Sequence, residues 1–268
     1  MMPACRRHQP AAATTLAVQK NWQDRGEYAL FVAIRAETNT TTRLEKLNQW
    51  KREYPVTAFI DERMSLYLTT YAALGRAEDA VAIANEILAG NPKDFVAMYY
   101  VMYFTRALAG AGKPSRQVLH RGETASNAVL HFSGVTEVRN SPEVKALAHA
   151  TLGWIAMQKK KRPAAEAAFQ KSLALNPNNG EVDYWMGTVI RAQKNRGRQS
   201  TVLFYFARAA AYDGPGSLSA EAHAIALEYV RKAYEVHHGS SAGFDQLLVA
   251  AKANGAPPTE FRVSEAAR

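Results

Sequence analysis

From Asn21 onward the apolar residues fall on helical spacing: Trp22, Tyr28, Leu30, Phe31 and Ile34 gather on one side of a helix, and the segments that follow repeat the amphipathic pattern. No stretch alternates as a strand would. The pattern is cut at regular points by residues that stop helices, namely Glu53-Tyr54-Pro55, Gly75, Gly90-Asn91-Pro92, Gly110 to Gly112, Asn176-Pro177, Asn195 to Gly197, Asp213 to Gly216, and Gly239. The spacing predicts twelve helices, over 21–37, 41–53, 58–74, 77–89, 95–110, 114–132, 141–158, 162–175, 180–194, 199–213, 217–237 and 241–253, and they pair into hairpins.

The pairs repeat. In the seventh and eighth helices Leu152-Gly153 is followed by Ala165, then Phe169, then Pro177. Gly153 and Ala165 are small where two helices press together, Phe169 fills the space between hairpins, and Pro177 after Asn176 cannot continue the helix. This arrangement resembles the tetratricopeptide repeat (TPR), a helix hairpin of about 34 residues with L-G, A-x3-F and P at these places. His149 and Ala156 stand where the family usually has larger residues. The next hairpin offers Met186-Gly187, Phe206 and Ala209 before Gly214, which fits if its inter-helix turn carries about three extra residues. Upstream, Tyr67-Leu68, Tyr71, Ala80, Ala84 and Pro92 make another unit, and Leu30-Phe31, Leu47 and Pro55 a weaker one. Pro92 and Pro177 are 85 positions apart, more than two repeats need, which predicts a long or irregular segment near 110–140.

The resemblance implies an all-α, right-handed solenoid of antiparallel hairpins. Residues 1–20 read as a tail or the remnant of a targeting segment, 21–216 as about five TPR-like hairpins, 217–255 as a capping helix pair and 256–268 as a C-terminal tail. The cap has Leu218, Ile225, Tyr229 and Ala233 on one helix and Phe244, Leu247 and Leu248 on the next. The turn Tyr212 to Gly216, the stop His238-Gly239 and Phe244 to Leu247 are also similar to bacterial TPR proteins of unassigned function, whose relatives often carry export signals.

In the TPR family the inner face of each first helix forms a concave groove for a peptide or helix of a partner. Carried onto the units starting at 95, 146 and 180, the inward positions include Tyr99, Tyr103, Arg106, Trp154, Met157, Tyr184 and Arg191. Tyrosine, tryptophan and arginine dominate interface hot spots because they bury much area with directional bonds. The same residues at helical spacing equally suit a packed core, and for Trp154 and Tyr184 both readings stand. The family's chaperone-binding subgroup clamps a carboxylate with a Lys, Asn and Arg set, and no Lys or Asn occupies these positions.

Charge adds a second candidate surface. Lys159, Lys160, Lys161 and Arg162 lie in the turn inside one hairpin, and Lys194, Arg196 and Arg198 lie in the equivalent turn of the next, with Lys113, Arg116 and Arg76 at corresponding places. Stacked turns would form a basic ridge for nucleic acid or another anionic surface, through salt-sensitive contacts. Solvated turn residues are the plainer reading.

Composition narrows the rest. The chain has 268 residues, 47% of them hydrophobic, and a formal net charge of +9, so it can bury a core and tolerate polyanionic partners. One cysteine, Cys5, excludes an internal disulfide framework and CxxC sites. No apolar run is long enough to span a membrane. Met1 to Lys20 begins with basic Arg6 and Arg7 but lacks a long apolar middle, so as written the expectation is a cytoplasmic protein, or a periplasmic or envelope one if the gene start is truncated. No nucleotide, zinc-protease or hydrolase motif is present. His237 and His238, adjacent at a helix end, diverge and suit the helix dipole better than a metal. The expectation is a non-enzymatic interaction scaffold with no cofactor and no metal, whose partner is another protein.

Overall fold

The computed structural model describes residues 21–110, 114–132 and 141–266. Among them the regular structure is helical throughout, in two compact units divided at Thr70 and Tyr71. Part of the expected irregular segment, at 111–113 and 133–140, lies outside the described residues, as do Cys5, Lys113 and the rest of 1–20.

The first unit holds α1 (Arg25–Ala36), α2 (Thr40–Glu53) and most of α3 (Ile60–Ala73). Asp24 caps α1 by accepting from Glu27 N–H at 2.8 Å, which places the helix start four residues later than the spacing predicts. Ile34, Leu47 and Trp50 are fully buried. Trp22 stacks flat on Phe59, with centroids 3.4 Å apart, and also meets Phe31 and Trp50. The buried Glu27 accepts from Trp50 Nε1 at 2.7 Å and Thr57 Oγ1 at 2.5 Å, so its carboxylate is satisfied by neutral donors.

The second unit contains α4 (Ala77–Gly90), α5 (Phe95–Ala109), α6 (Arg116–His131), α7 (Pro142–Gln158), α8 (Arg162–Leu175), α9 (Gly180–Ala192), α10 (Gln199–Ala211), α11 (Ala220–His238) and α12 (Phe244–Ala253). Local capping explains the starts: Asp94, Ser115, Ser141, Asn179 and Ser219 each accept a backbone N–H three residues on, at 2.9 to 3.4 Å. Ser219 sets α11 at Ala220, past the expected 217. The segment from Arg116 to His131 is one regular helix, so α6 pairs with α5 as an ordinary hairpin partner.

Hairpins α5–α6, α7–α8 and α9–α10 follow one another, and the second helix of each packs on the first helix of the next element pair. This is a TPR-like succession, and its contacts are those the repeat pattern predicts. A Cβ on Gly153 would stand 2.5 Å from the Phe169 ring, and one on Gly187 would stand 2.9 Å from Phe206. Phe169 therefore sits on Gly153 within its own hairpin and extends to Trp185 of the next, at 5.7 Å between centroids. The sequence separations differ by the three residues of a 3-10 turn, Arg196–Arg198, inserted between α9 and α10. Helix α10 is buried from Val202 to Ala210 because α9, α11 and α12 all pack on it, as its nearly continuous apolar sequence requires.

Candidate protein-interaction surface

The first helices of the three hairpins, α5, α7 and α9, carry the predicted groove residues, and their environments differ. On α5, Tyr99 and Tyr103 lie one turn apart with rings stacked at 5.9 Å, beside Val96. Tyr103 is 50% exposed and Val96 48% exposed. Burial raises the Tyr99 phenol pKa above its ordinary value, with smaller pushes from Tyr103 and Tyr100. The result is an aromatic ledge whose outer edge faces solvent.

The other predicted residues already have partners. Arg106 reaches from α5 to α9, donating to Glu181 Oε2 at 2.7 Å and placing its guanidinium 4.8 Å from the Trp185 ring centre. Arg191 donates to the Tyr229 hydroxyl of α11 and lies 5.2 Å from that ring. These two arginines tie first helices to one another through cation–π contacts. Trp154, Met157 and Tyr184 are half-buried against the core, and Tyr184 sets its ring edge-on to Phe206 at 5.2 Å. The structure thus places exposed apolar side chains at Val96 and Tyr103 beside a half-buried Tyr99, and an internally packed row at Tyr184 and Arg191.

The basic turns also divide. Lys159 pairs with Glu123 at 2.7 Å. Arg198 forks onto Glu166, at 3.0 and 2.5 Å, and Gln193 adds a third bond at 2.6 Å; the Arg198 contact, opposed by burial and aided by Gln193, holds Glu166 below the usual carboxylate range. Lys160, Lys161, Arg162, Lys194 and Arg196 are exposed and form no salt bridge with a described residue. Lys160 and Lys194 both sit in the left-handed region, at φ of 57° and 58°, where Gly75 stands in the turn before α4 at 68°. The equivalence is also seen in the bonds: Arg76 N–H reaches Tyr71 O at 3.0 Å as Lys161 N–H reaches Ala156 O at 2.9 Å. Two of these turns therefore place a lysine where glycine would adopt the conformation without steric cost.

The spacing did not predict a buried pairing of an acid with an arginine. Asp183 of α9 is fully buried, and its Oδ2 lies 3.3 Å from Arg208 Nε of α10. Arg208 also donates to Ala251 O at 3.0 Å, Asn254 O at 2.8 Å and Pro177 O at 2.8 Å, joining α10 to the loop before α9 and the end of α12. Burial pushes the Asp183 carboxyl up to about 8, against the opposing pull of Arg208. The signal was present in the spacing: Asp183 occupies the stripe of Met186, Gly187 and Ile190, and Arg208 interrupts an otherwise apolar helix.

His237 and His238 do not simply end α11. Their ring nitrogens contact the carbonyls of Val263 and Ser264, at 3.2 and 3.1 Å, in the C-terminal segment. Among the described residues, no group of three or more His, Cys, Asp and Glu could hold a metal, and no helix is long and apolar enough to cross a membrane.

No protein-family model and no curated protein sequence matches the chain. Among solved structures the chain is similar to a thermophilic TPR protein of Thermus thermophilus, at 18% identity over 78% of this chain and 97% of that one, with a TM-score of 0.42. The repeat architecture of the second unit rests on its own packing, with Gly153 under Phe169, Gly187 under Phe206 and paired helices in succession.

Proposed function

We propose that the chain is a non-enzymatic protein-interaction scaffold that holds a peptide or helix of a partner against the first-helix face of its repeats. The observation that carries this reading is the ledge on α5 where Val96 and Tyr103 are exposed and Tyr103 is held by stacking on the half-buried Tyr99. A partner segment laid there would bury apolar area against Tyr103 and find a hydroxyl at Tyr99 to bond. Arg106, held by Glu181 and Trp185, would border the ledge as a prepositioned cation. Affinity capture with the wild-type chain and with the Tyr99→Ala/Tyr103→Ala double variant tests the reading. A protein retained at high salt by the wild type and lost from the variant is the expected result; an identical set of retained proteins overturns it.

A second reading, binding of nucleic acid or an anionic surface along the basic turns, is favoured by the left-handed lysines at 160 and 194. Its contacts would be phosphate-like and would weaken steeply as salt rises. Replacing Lys160, Lys161 and Lys194 by Glu abolishes such binding and spares capture through the tyrosines, leaving the ion pair of Lys159 intact.

A further inference from the structure

The C-terminal residues fold back onto the terminal helices. After α12 the chain turns between Pro258 and Phe261, whose N–H donates to Pro258 O at 3.0 Å. It then runs without helix along α10 and α11. Phe261 sets its ring edge-on to Phe204 of α10 at 5.3 Å. Val263 N–H donates to Ser200 Oγ at 3.0 Å, and Ala266 N–H donates to His237 O at 2.9 Å. The His237 ring nitrogen that meets the Val263 carbonyl donates there, because a carbonyl only accepts, while His238 Nδ1 meets both the carbonyl and the hydroxyl of Ser264, at 3.1 and 3.0 Å.

These contacts have the logic of peptide recognition. Phe261 and Val263, two residues apart, are both half-buried against the core, while Arg262 between them is exposed. That alternation is the signature of an extended segment read on one side. Most of the remaining bonds go to its backbone and accept many sequences, with the Ser264 hydroxyl, 3.0 Å from His238 Nδ1, as a side-chain contact beside them. Two features show that the tail is an imperfect occupant. Glu260, in the turn just before Phe261, stands in the left-handed region at φ 65°, an uphill conformation for a residue with a side chain. A cavity of about 290 Å³ also remains between the tail and the helices, lined by Tyr234, Gln246, Leu247 and Ala250.

We infer that the surface of α10, α11 and α12 beneath residues 261–266 is a groove for an extended partner segment carrying an aromatic residue followed two positions later by a β-branched aliphatic one. The chain's own C-terminal segment is the intramolecular competitor for it. A partner that fills the open cavity and avoids the strain at Glu260 displaces the tail.

The probe is a labelled peptide of residues 257–266, titrated by fluorescence anisotropy into the full chain and into its Phe261→Ala variant. The peptide binds the variant at least roughly tenfold more tightly, because the wild-type tail competes from a short tether. Binding is lost when the peptide itself carries Phe261→Ala, and when Ala250→Glu places a charge in the groove of the variant. Equal affinity for wild type and variant, or no binding at millimolar peptide, overturns the inference. A second arm needs no substitution: excess unlabelled peptide speeds hydrogen exchange at the Val263 and Ala266 amides of the wild-type chain, and unchanged exchange overturns the proposal. Neither readout involves Tyr99 or Tyr103, so the groove and the α5 ledge stand or fall separately.

Discussion

Helices α5 and α9 hold corresponding places in their hairpins and present similar residues, two tyrosines and an arginine on the first, a tyrosine and an arginine on the second. On α5 the rings of Tyr99 and Tyr103 contact residues of their own helix among the described residues, and the outer edge stays open. On α9, Tyr184 is met by Phe206 of α10 and Arg191 by Tyr229 of α11. The neighbours, rather than the residue types, decide whether an aromatic row serves the core or offers a surface. The contrast extends to charge, since Arg106 pairs at the surface with Glu181 while Arg208 is buried beside Asp183.

The largest expected effect tests that contrast directly. Arg208→Ala strips the donor from the carbonyls of Ala251, Asn254 and Pro177, costing about 3 kcal/mol or more, whereas Arg106→Ala costs less than about 1 kcal/mol. Chemical denaturation of the two variants measures the difference, and equal losses would break the comparison.

Acidity sharpens it. Asp183 keeps its proton in the fold up to about 8, while in the unfolded chain it ionises near ~4. Between those values the folded state binds the extra proton. The stability from this group is therefore fully present below about pH 4 and is lost as pH rises toward 8, by at most about 1.4 kcal/mol per pH unit. Asp183→Asn should flatten that slope in thermal melts followed across the range, and an unchanged slope would place the titration elsewhere.

Smaller effects follow the aromatic rows. Tyr184→Ala opens space against Phe206 and should cost about 2 kcal/mol or more, while Tyr103→Ala should stay within about 0.5 kcal/mol and act on partner binding alone. At the turns, Lys160→Gly relieves a left-handed side-chain conformation and should raise stability by up to about 1 kcal/mol, a gain that a binding ridge would forgo.

Much of the architecture was legible along the chain. Helical spacing and stops such as Gly239 act within a turn or two of themselves, so the periodic pattern carries them. The repeat was legible for a related reason: Gly153 and Phe169 are small and large at a fixed separation because one hairpin brings them together. Even the extra turn before α10 showed as additional residues at Asn195 to Arg198. The candidate surface was legible only as a set of positions, because spacing fixes which side of a helix a residue occupies and not what lies opposite.

Tertiary structure decided the rest. Arg208 finds Pro177 and Asn254, Val263 finds Ser200, and Arg191 finds Tyr229 across 31, 46, 63 and 38 residues of chain respectively. No local propensity encodes such a meeting, because each pair depends on where separately formed helices come to rest. The same dependence left Tyr103 open and covered Tyr184, and it brought residues 261–266 onto the terminal helices rather than into solvent. The sequence by itself determined the helices, their pairing and the small-to-large contacts inside each pair, since these are set by backbone geometry over short distances. Exposure, ion pairing and the seat of the C-terminal segment were decided only by packing, because they depend on surfaces assembled from distant parts of the chain.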